Sequence, residues 1–139
     1  MKKRILHPEY QLQKQVCFHI KKNYRQVPFL SDAISNVRLT IPQQARNKAI
    51  QDGNFACPDL MLFAPTKLYR GLFIELKVKS PYKVNGELLK SDHLEKQQLS
   101  LDKLTKYGYC AVFSWGLDET KLLIDNYLKG YEIKQSKKR

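Results

Sequence analysis

Three charged residues interrupt what would otherwise be two short apolar strands. In "PDLMLFAPTKLYRGLFIELK", residues 58–77, Asp59 opens the first apolar run, and Glu75 and Lys77 break the second. Glu75 and Lys77 are two apart, so on a strand their side chains leave one face while Ile74, Leu76 and Val78 leave the other. With the turn centred near residues 65–71, pairing of the two runs brings Asp59 toward the Glu75 end of the second strand. The expected product is two carboxylates and one lysine converging at one edge of a buried sheet. Adjacent carboxylates repel, and left alone one of them takes up a proton. A hard divalent cation removes the conflict, because Mg²⁺ favours carboxylate oxygens, keeps several waters and accepts phosphate oxygens. A cation so held acidifies a bound water and offsets charge developing on a phosphodiester. A lysine alongside could orient that water or meet the phosphate. These are the residue types that hydrolysis of a nucleic-acid backbone needs. A solvent-facing hairpin also carries such a Glu/Lys pair as a solubilising device. The E-x-K triplet alone does not separate the two readings. The Pro-Asp pair upstream, a Gln-bearing helix downstream and the basic charge balance favour the first.

The elements that must position these residues are legible along the chain. Leu12, Val16 and Ile20, with Cys17 and Tyr24 beside them, have helical spacing and predict a helix over about residues 8–24. Pro8 suits its first turn, and Glu9 suits the positive end of its dipole. "NVRLTI" (36–41) reads as a short β-prone run, and "PQQARNKAIQDG" (42–53) as a short helix capped by Gly53. "LMLFA" and "GLFIELKV" are two strands joined by "PTKLYRG", where Pro65 and Gly71 mark the turn. "SPYKVNGELLK" is a polar loop. "SDHLEKQQLSLDKLTKYG" is a second long helix, capped by Ser91 or Asp92, ended by Gly108, with Leu94, Leu101 and Leu104 on one side. "YCAVFSW" fits a strand buried on both faces. "LDETKLLIDNYLKG" is a last helix with Leu122, Leu123 and Tyr127 facing inward. The order predicts an α/β fold, a central mixed sheet flanked by helices.

Length and composition set the limits. The chain has 139 residues, enough for one domain with a real core, expected over residues 1–133, with a basic disordered tail over 134–139. Lys plus Arg number 25 against 13 Asp plus Glu, a net charge of +12. That balance attracts polyanions, phosphate backbones above all, although a merely solubilising surface can also be this basic. No apolar run is long enough for a transmembrane helix, and "MKKRILHPEYQLQ" lacks the apolar centre of a secretion signal. A cytoplasmic protein with no membrane partner and no organic cofactor is expected. Cys17, Cys57 and Cys110 form no metal-ligand spacing with one another or with His7, His19 and His93, and read as reduced, buried or half-buried thiols.

At these residues the sequence resembles the PD-(D/E)XK nuclease superfamily and, more narrowly, the virus-type replication-repair nuclease (VRR-NUC) domain. "PEYQLQKQV" is similar to that family's opening helix, with Glu9 four residues before Gln13. "PDLMLF" resembles its Pro-Asp strand and "GLFIELKVKSP" its E-x-K strand. "HLEKQQLSLDKLTKYGYCAVFSWGLDE" resembles its Gln-bearing helix and following strand, with Gln97 eleven residues before Gly108. The resemblance spans about residues 8–128. Two features depart from it: Ala56 stands where the family often has Gly two residues before the Pro-Asp proline, and "PQQAR" stands in place of an Asn-Gly-Gly-like turn.

The resemblance implies a restriction-endonuclease-like core and Mg²⁺ or Mn²⁺ held by Asp59, Glu75 and the Leu76 backbone carbonyl. It brings Glu9 in as a further ligand and gives catalytic roles to Asp59, Glu75, Lys77 and Gln97, with Lys77 positioning the water. Contacts to nucleic acid are expected from Gln13, Lys79 and Lys96. The short stand-alone members come from phages and bacteria and resemble dimeric junction-cleaving nucleases. The implied activity is a structure-selective endodeoxyribonuclease that cuts branched DNA, such as four-way (Holliday) junctions, as a homodimer in a bacterial or phage-infected cell. A non-catalytic basic binding module, or a nuclease nicking flaps or duplex DNA, is the alternative. A restriction-type enzyme would need dedicated base-reading elements, for which the chain leaves little room.

Overall fold

Leu12, Val16 and Ile20 are all buried on one stripe of the first helix, and that stripe fixes how the helix lies on the sheet. The structure, a computed structural model, describes residues 7–32 and 38–135. In chain order the elements are α1 (Pro8–Asn23), β1 (Phe29–Ser31), α2 (Ile41–Ile50), β2 (Leu60–Leu62), β3 (Leu72–Lys77), α3 (Asp92–Lys106), β4 (Cys110–Trp115) and α4 (Leu117–Leu128). The strands form one mixed sheet in the order β1-β2-β3-β4, with β3 and β4 parallel and the other pairs antiparallel. The expected α/β architecture is what the chain adopts.

The strand period of two divides the core. Leu60, Leu62, Leu72, Ile74, Cys110 and Val112 face α1 and α4, where Ile20, Ile124 and Tyr127 close over them. Each such fully buried aliphatic side chain contributes about 1.5–3 kcal/mol relative to exposure. The other face carries Phe113, which packs with Tyr82 of the loop after β3 and Leu101 of α3. Residues 73, 75 and 77 of β3 alternate onto this second face, beneath α3.

The first strand is not where the sequence put it. Residues 36 and 37 of "NVRLTI" lie outside the described residues, Arg38 to Thr40 are irregular, and Ile41 already belongs to α2. Local capping overrides the β-prone composition there. The Thr40 hydroxyl accepts from the Gln43 N–H, and the Gln43 side chain accepts from the Thr40 N–H at 2.9 Å, a capping box that starts a helix with Pro42 in its first turn. α2 also ends earlier than expected, at an extended Gln51 rather than at Gly53. Leu122, expected inside, is 55% exposed, and Ile124 takes the inward position on α4. Val78 lies beyond the end of β3 and is exposed. Cys57 is exposed, whereas Cys17 is half-buried and Cys110 buried. The Gln135 side chain bonds the main chain of Phe113 on both sides, at 3.0 and 3.2 Å, so the chain still lies on the fold at that point. Among the described residues no helix is long and apolar enough to cross a membrane.

Candidate active site

The β2–β3 register pairs Leu60 with Ile74, so the next step along the ladder sets Asp59 opposite Glu75. The Asp59 carboxylate is steered there by the chain itself: its Oδ2 accepts the Leu76 backbone N–H at 2.8 Å. In an extended strand the N–H and C=O of one residue leave on the same side, so the Leu76 carbonyl faces the Asp59 side too. Leu60 and Ile74 point into the α1/α4 core, so Asp59 and Glu75 point to the α3 face.

Glu75 is only 4% exposed and Gln97 of α3 only 6%. The Gln97 amide joins the set. Its Nε2 donates to Glu75 Oε1 at 2.8 Å, and its Oε1 accepts from Lys77 Nζ at 2.8 Å. Lys77 Nζ also lies 5.9 Å from the centre of the Phe113 ring. Burial, the Asp59 charge and a hydrogen bond with Asp59 push the Glu75 carboxyl up to about 9, and Lys77 opposes the rise without cancelling it. A buried carboxyl that holds a proton at neutral pH beside a second carboxylate is a donor pair short of positive charge.

Gln13 joins this end of the sheet to α1. Its amide nitrogen donates to Ser31 Oγ, to the Asp32 carbonyl at 3.1 Å and to the Asp59 carbonyl at 3.4 Å. Its amide nitrogen thus holds the frame of the site rather than facing solvent. Glu9 stands exposed one helical turn earlier on the same edge of α1. Lys79, two residues past Lys77, and Lys96, directly before Gln97, are exposed. Among the described residues no three His, Cys, Asp and Glu side chains are grouped as a ready-made metal cage. Mg²⁺ does not require one, since it is commonly held by one or two carboxylates with waters completing its shell. The Asp59–Glu75 pair, deficient in positive charge, fits such an ion.

Asp32 was not anticipated. Ser31 pairs with Leu60, and the Asp32 N–H donates to the Asp59 carbonyl at 2.8 Å, so the backbones of Asp32, Asp59 and Glu75 line up in one row, the first two just beyond the ends of β1 and β2. The Asp32 charge adds to the upward push on Glu75. The only sequence signal is an Asp closing "FLSD", and the β-prone run "NVRLTI" begins seven residues after β1 does.

A solved structure described as a "VRR_NUC domain protein" superposes on 98% of this chain and 99% of its own, with a TM-score of 0.59 at 18% identity. The chain has the VRR-NUC fold. That fold, with the E-x-K strand at the centre and a helix laid across its charged face, is consistent with a PD-(D/E)XK-like core. No family sequence model and no curated protein matches the chain. Within the VRR-NUC fold, the Pro-Asp strand, the E-x-K strand and the Gln-bearing helix supply Asp59, Glu75, Lys77 and Gln97 to one place.

Proposed function

We propose that this chain is a divalent-metal-dependent endodeoxyribonuclease, acting on branched DNA such as four-way junctions as a homodimer. One observation carries the reading: a buried Glu75 lies across from Asp59, and Gln97 ties it to Lys77. A solubilising Glu/Lys pair on a hairpin would be solvated, whereas here Glu75 is buried under α3, Lys77 is half-buried, and no buried polar side-chain atom among the described residues lacks a partner. The fold neighbour's description and the net charge of +12 agree with a nucleic-acid substrate.

Asp59, Glu75 and the Leu76 carbonyl would hold Mg²⁺ or Mn²⁺, with Glu9 reaching it directly or through water. When bound, such an ion would acidify a coordinated water and offset charge on the scissile phosphate. The protein does the positioning. The Leu76 N–H fixes the Asp59 carboxylate, and Gln97 restrains both Glu75 and Lys77. Lys77 then has its ammonium beside the metal-binding carboxylates, where it orients the attacking water and meets negative charge gathering on the phosphate oxygens. Two such sites related by a two-fold axis would cut paired strands of a junction.

The test is a cleavage panel of four-way junction, flap, fork and linear duplex with Mg²⁺ and Mn²⁺. Paired nicks in the junction are expected, and Asp59→Ala or Glu75→Ala abolishes them while DNA binding persists. Intact DNA across the whole panel would overturn the reading and leave a non-catalytic binding module. Cuts confined to flap or duplex would replace the junction with those substrates.

A further inference from the structure

α2 is a helix without a core role. None of its residues is buried, and Ile41 and Ile50 at its ends are 82% and 80% exposed. Isolated helices shorter than about 12–15 residues are marginal in water, and most helices are stabilised by an apolar face packed on a core. α2 holds itself together instead through the Thr40–Gln43 capping box and bonds from Gln44 to the Leu39 carbonyl and from Gln51 to Asn47. A helix so maintained at the surface has a face available to a partner.

Its charge selects that partner. α2 carries Arg46 and Lys48 and no acidic residue, and neither forms an ion pair with a described residue. Asn47 is the only half-buried residue of α2, the others being exposed, so its side of the helix turns inward. At about 100° per residue, Arg46 and Lys48 lie roughly 80° to either side of the outward direction, and Ile41, Pro42, Ala45 and Ala49 lie between them. A face of two alanines, Pro42 and the exposed Ile41 with a cation on each flank suits a groove of duplex DNA, whose two walls are phosphate strands. A second copy of the helix fits poorly, because a two-fold contact would bring like charges together with no acid to offset them.

The chain also connects this helix to the site. It leaves the sheet at Asp32 and returns at Asp59, the two joined by the Asp32 N–H to Asp59 carbonyl bond at 2.8 Å. The return limb is tied to α3 by the Ala56 N–H on Ser100 Oγ at 2.8 Å and Lys103 Nζ on the Asn54 carbonyl at 2.9 Å. We infer that α2 is a DNA-docking helix whose Arg46 and Lys48 engage phosphates of the two strands, seating a duplex arm beside the carboxylate row. The inference rests on the nuclease reading for the identity of the polyanion.

The experiment is fluorescence-anisotropy binding of a labelled four-way junction by the full chain in EDTA over a range of salt, for wild type and Arg46→Ala/Lys48→Ala. The double variant is expected to lose about tenfold in affinity or more, with the slope of log affinity against log salt shallower by about two. Lys21→Ala/Lys22→Ala at the far end of α1 should change both much less. Both positions in α2 are exposed, so circular dichroism and thermal midpoint should stay at wild-type values. An unchanged slope overturns the inference, as does equal loss in the α1 control. A variant that falls apart into smaller species in sedimentation while each protomer binds DNA normally also overturns it, in favour of an interface between copies. Binding in EDTA reads docking separately from cleavage. A wild type that binds in EDTA but cuts nothing with Mn²⁺ removes the nuclease reading and leaves the slope to judge α2, and a wild type that binds no DNA removes the docking helix.

Discussion

Gln97 Nε2 donates to Glu75 Oε1 at 2.8 Å, and the same side chain accepts from Lys77 Nζ. One amide therefore satisfies an acid and a base that would otherwise pair with each other. If Lys77 closed onto Glu75 directly, its ammonium would be lost to the phosphate side. α3 prevents this by projecting a neutral group that offers a donor to one and an acceptor to the other.

Gln97→Ala should therefore harm stability and chemistry together. It leaves the buried Glu75 carboxyl without its donor, at a cost of about 1–3 kcal/mol. Denaturant unfolding should show that loss, and single-turnover cleavage with Mn²⁺ should slow by roughly 10–100-fold, the range for residues that orient metal ligands. DNA affinity in EDTA should be unchanged. Wild-type stability in this variant would mean that the Gln97–Glu75 bond contributes nothing to the native state.

Glu75 makes the metal-free protein pH-sensitive in a defined direction. Burial and the neighbouring Asp59 raise its carboxyl from 4.5 to about 9 in the folded state. Between those values the native state holds a proton that the unfolded chain has released, so stability falls as pH rises through this window. Mg²⁺ or Mn²⁺ should compete with that proton, so stabilisation by the ion should grow with pH over the same range. Thermal unfolding from pH 5 to 9, with EDTA and with 10-fold steps of Mn²⁺, reads both effects. Glu75→Gln should flatten the pH profile and remove the metal response. A wild-type profile that rises with pH in EDTA would contradict the environment assigned to Glu75.

The sequence exposed most of this site because its chemistry is local to strands. The alternation of charged and apolar residues in "IELK" gave the face of Glu75 and Lys77, and the short connection to "PDLML" constrained the register that sets Asp59 opposite Glu75. Helical spacing likewise gave Leu12, Val16 and Ile20 of α1 and Leu101 of α3. What escaped depends on contacts distant in sequence. β1 has three residues, too few for a period to declare itself, so Asp32 could not be aligned with Asp59. Gln13 shows nothing in its own helix of the Ser31 and Asp32 partners it meets across the fold. α2 was found as a helix, but its lack of any buried residue is a fact of tertiary packing.

Lys77→Ala should separate catalysis from ion binding. Lys77 touches Gln97 and the Phe113 ring face, and it carries charge rather than metal-ligating oxygen. The cleavage rate at saturating Mn²⁺ should fall by about 10²-fold or more, in the range reported for removing one preorganised electrostatic donor. Calorimetric Mn²⁺ affinity should shift far less, and in the tightening direction, since a nearby cation has been removed. Weaker Mn²⁺ binding with a preserved rate would assign Lys77 to the frame and not to the water.

Gly108 closes α3 and starts the turn into β4, and its backbone tests how far the helix must be held to keep Gln97 in place. Its φ of +93° lies where L side chains are rarely found, and its carbonyl accepts the Arg70 N–H at 2.9 Å. A Cβ there would meet Arg70 Nε at 3.1 Å, a flexible neighbour that can give way. Backbone strain thus dominates, and Gly108→Ala should cost about 1–2 kcal/mol in chemical denaturation. Gly108→Asn should lose less, because Asn tolerates positive φ. Gln97 lies eleven residues, about three helical turns, upstream, so both variants should keep the Mn²⁺-dependent cleavage rate of the folded protein. A rate that falls in step with stability would mean that the end of α3, and not only its Gln97 turn, sets the geometry around Glu75 and Lys77.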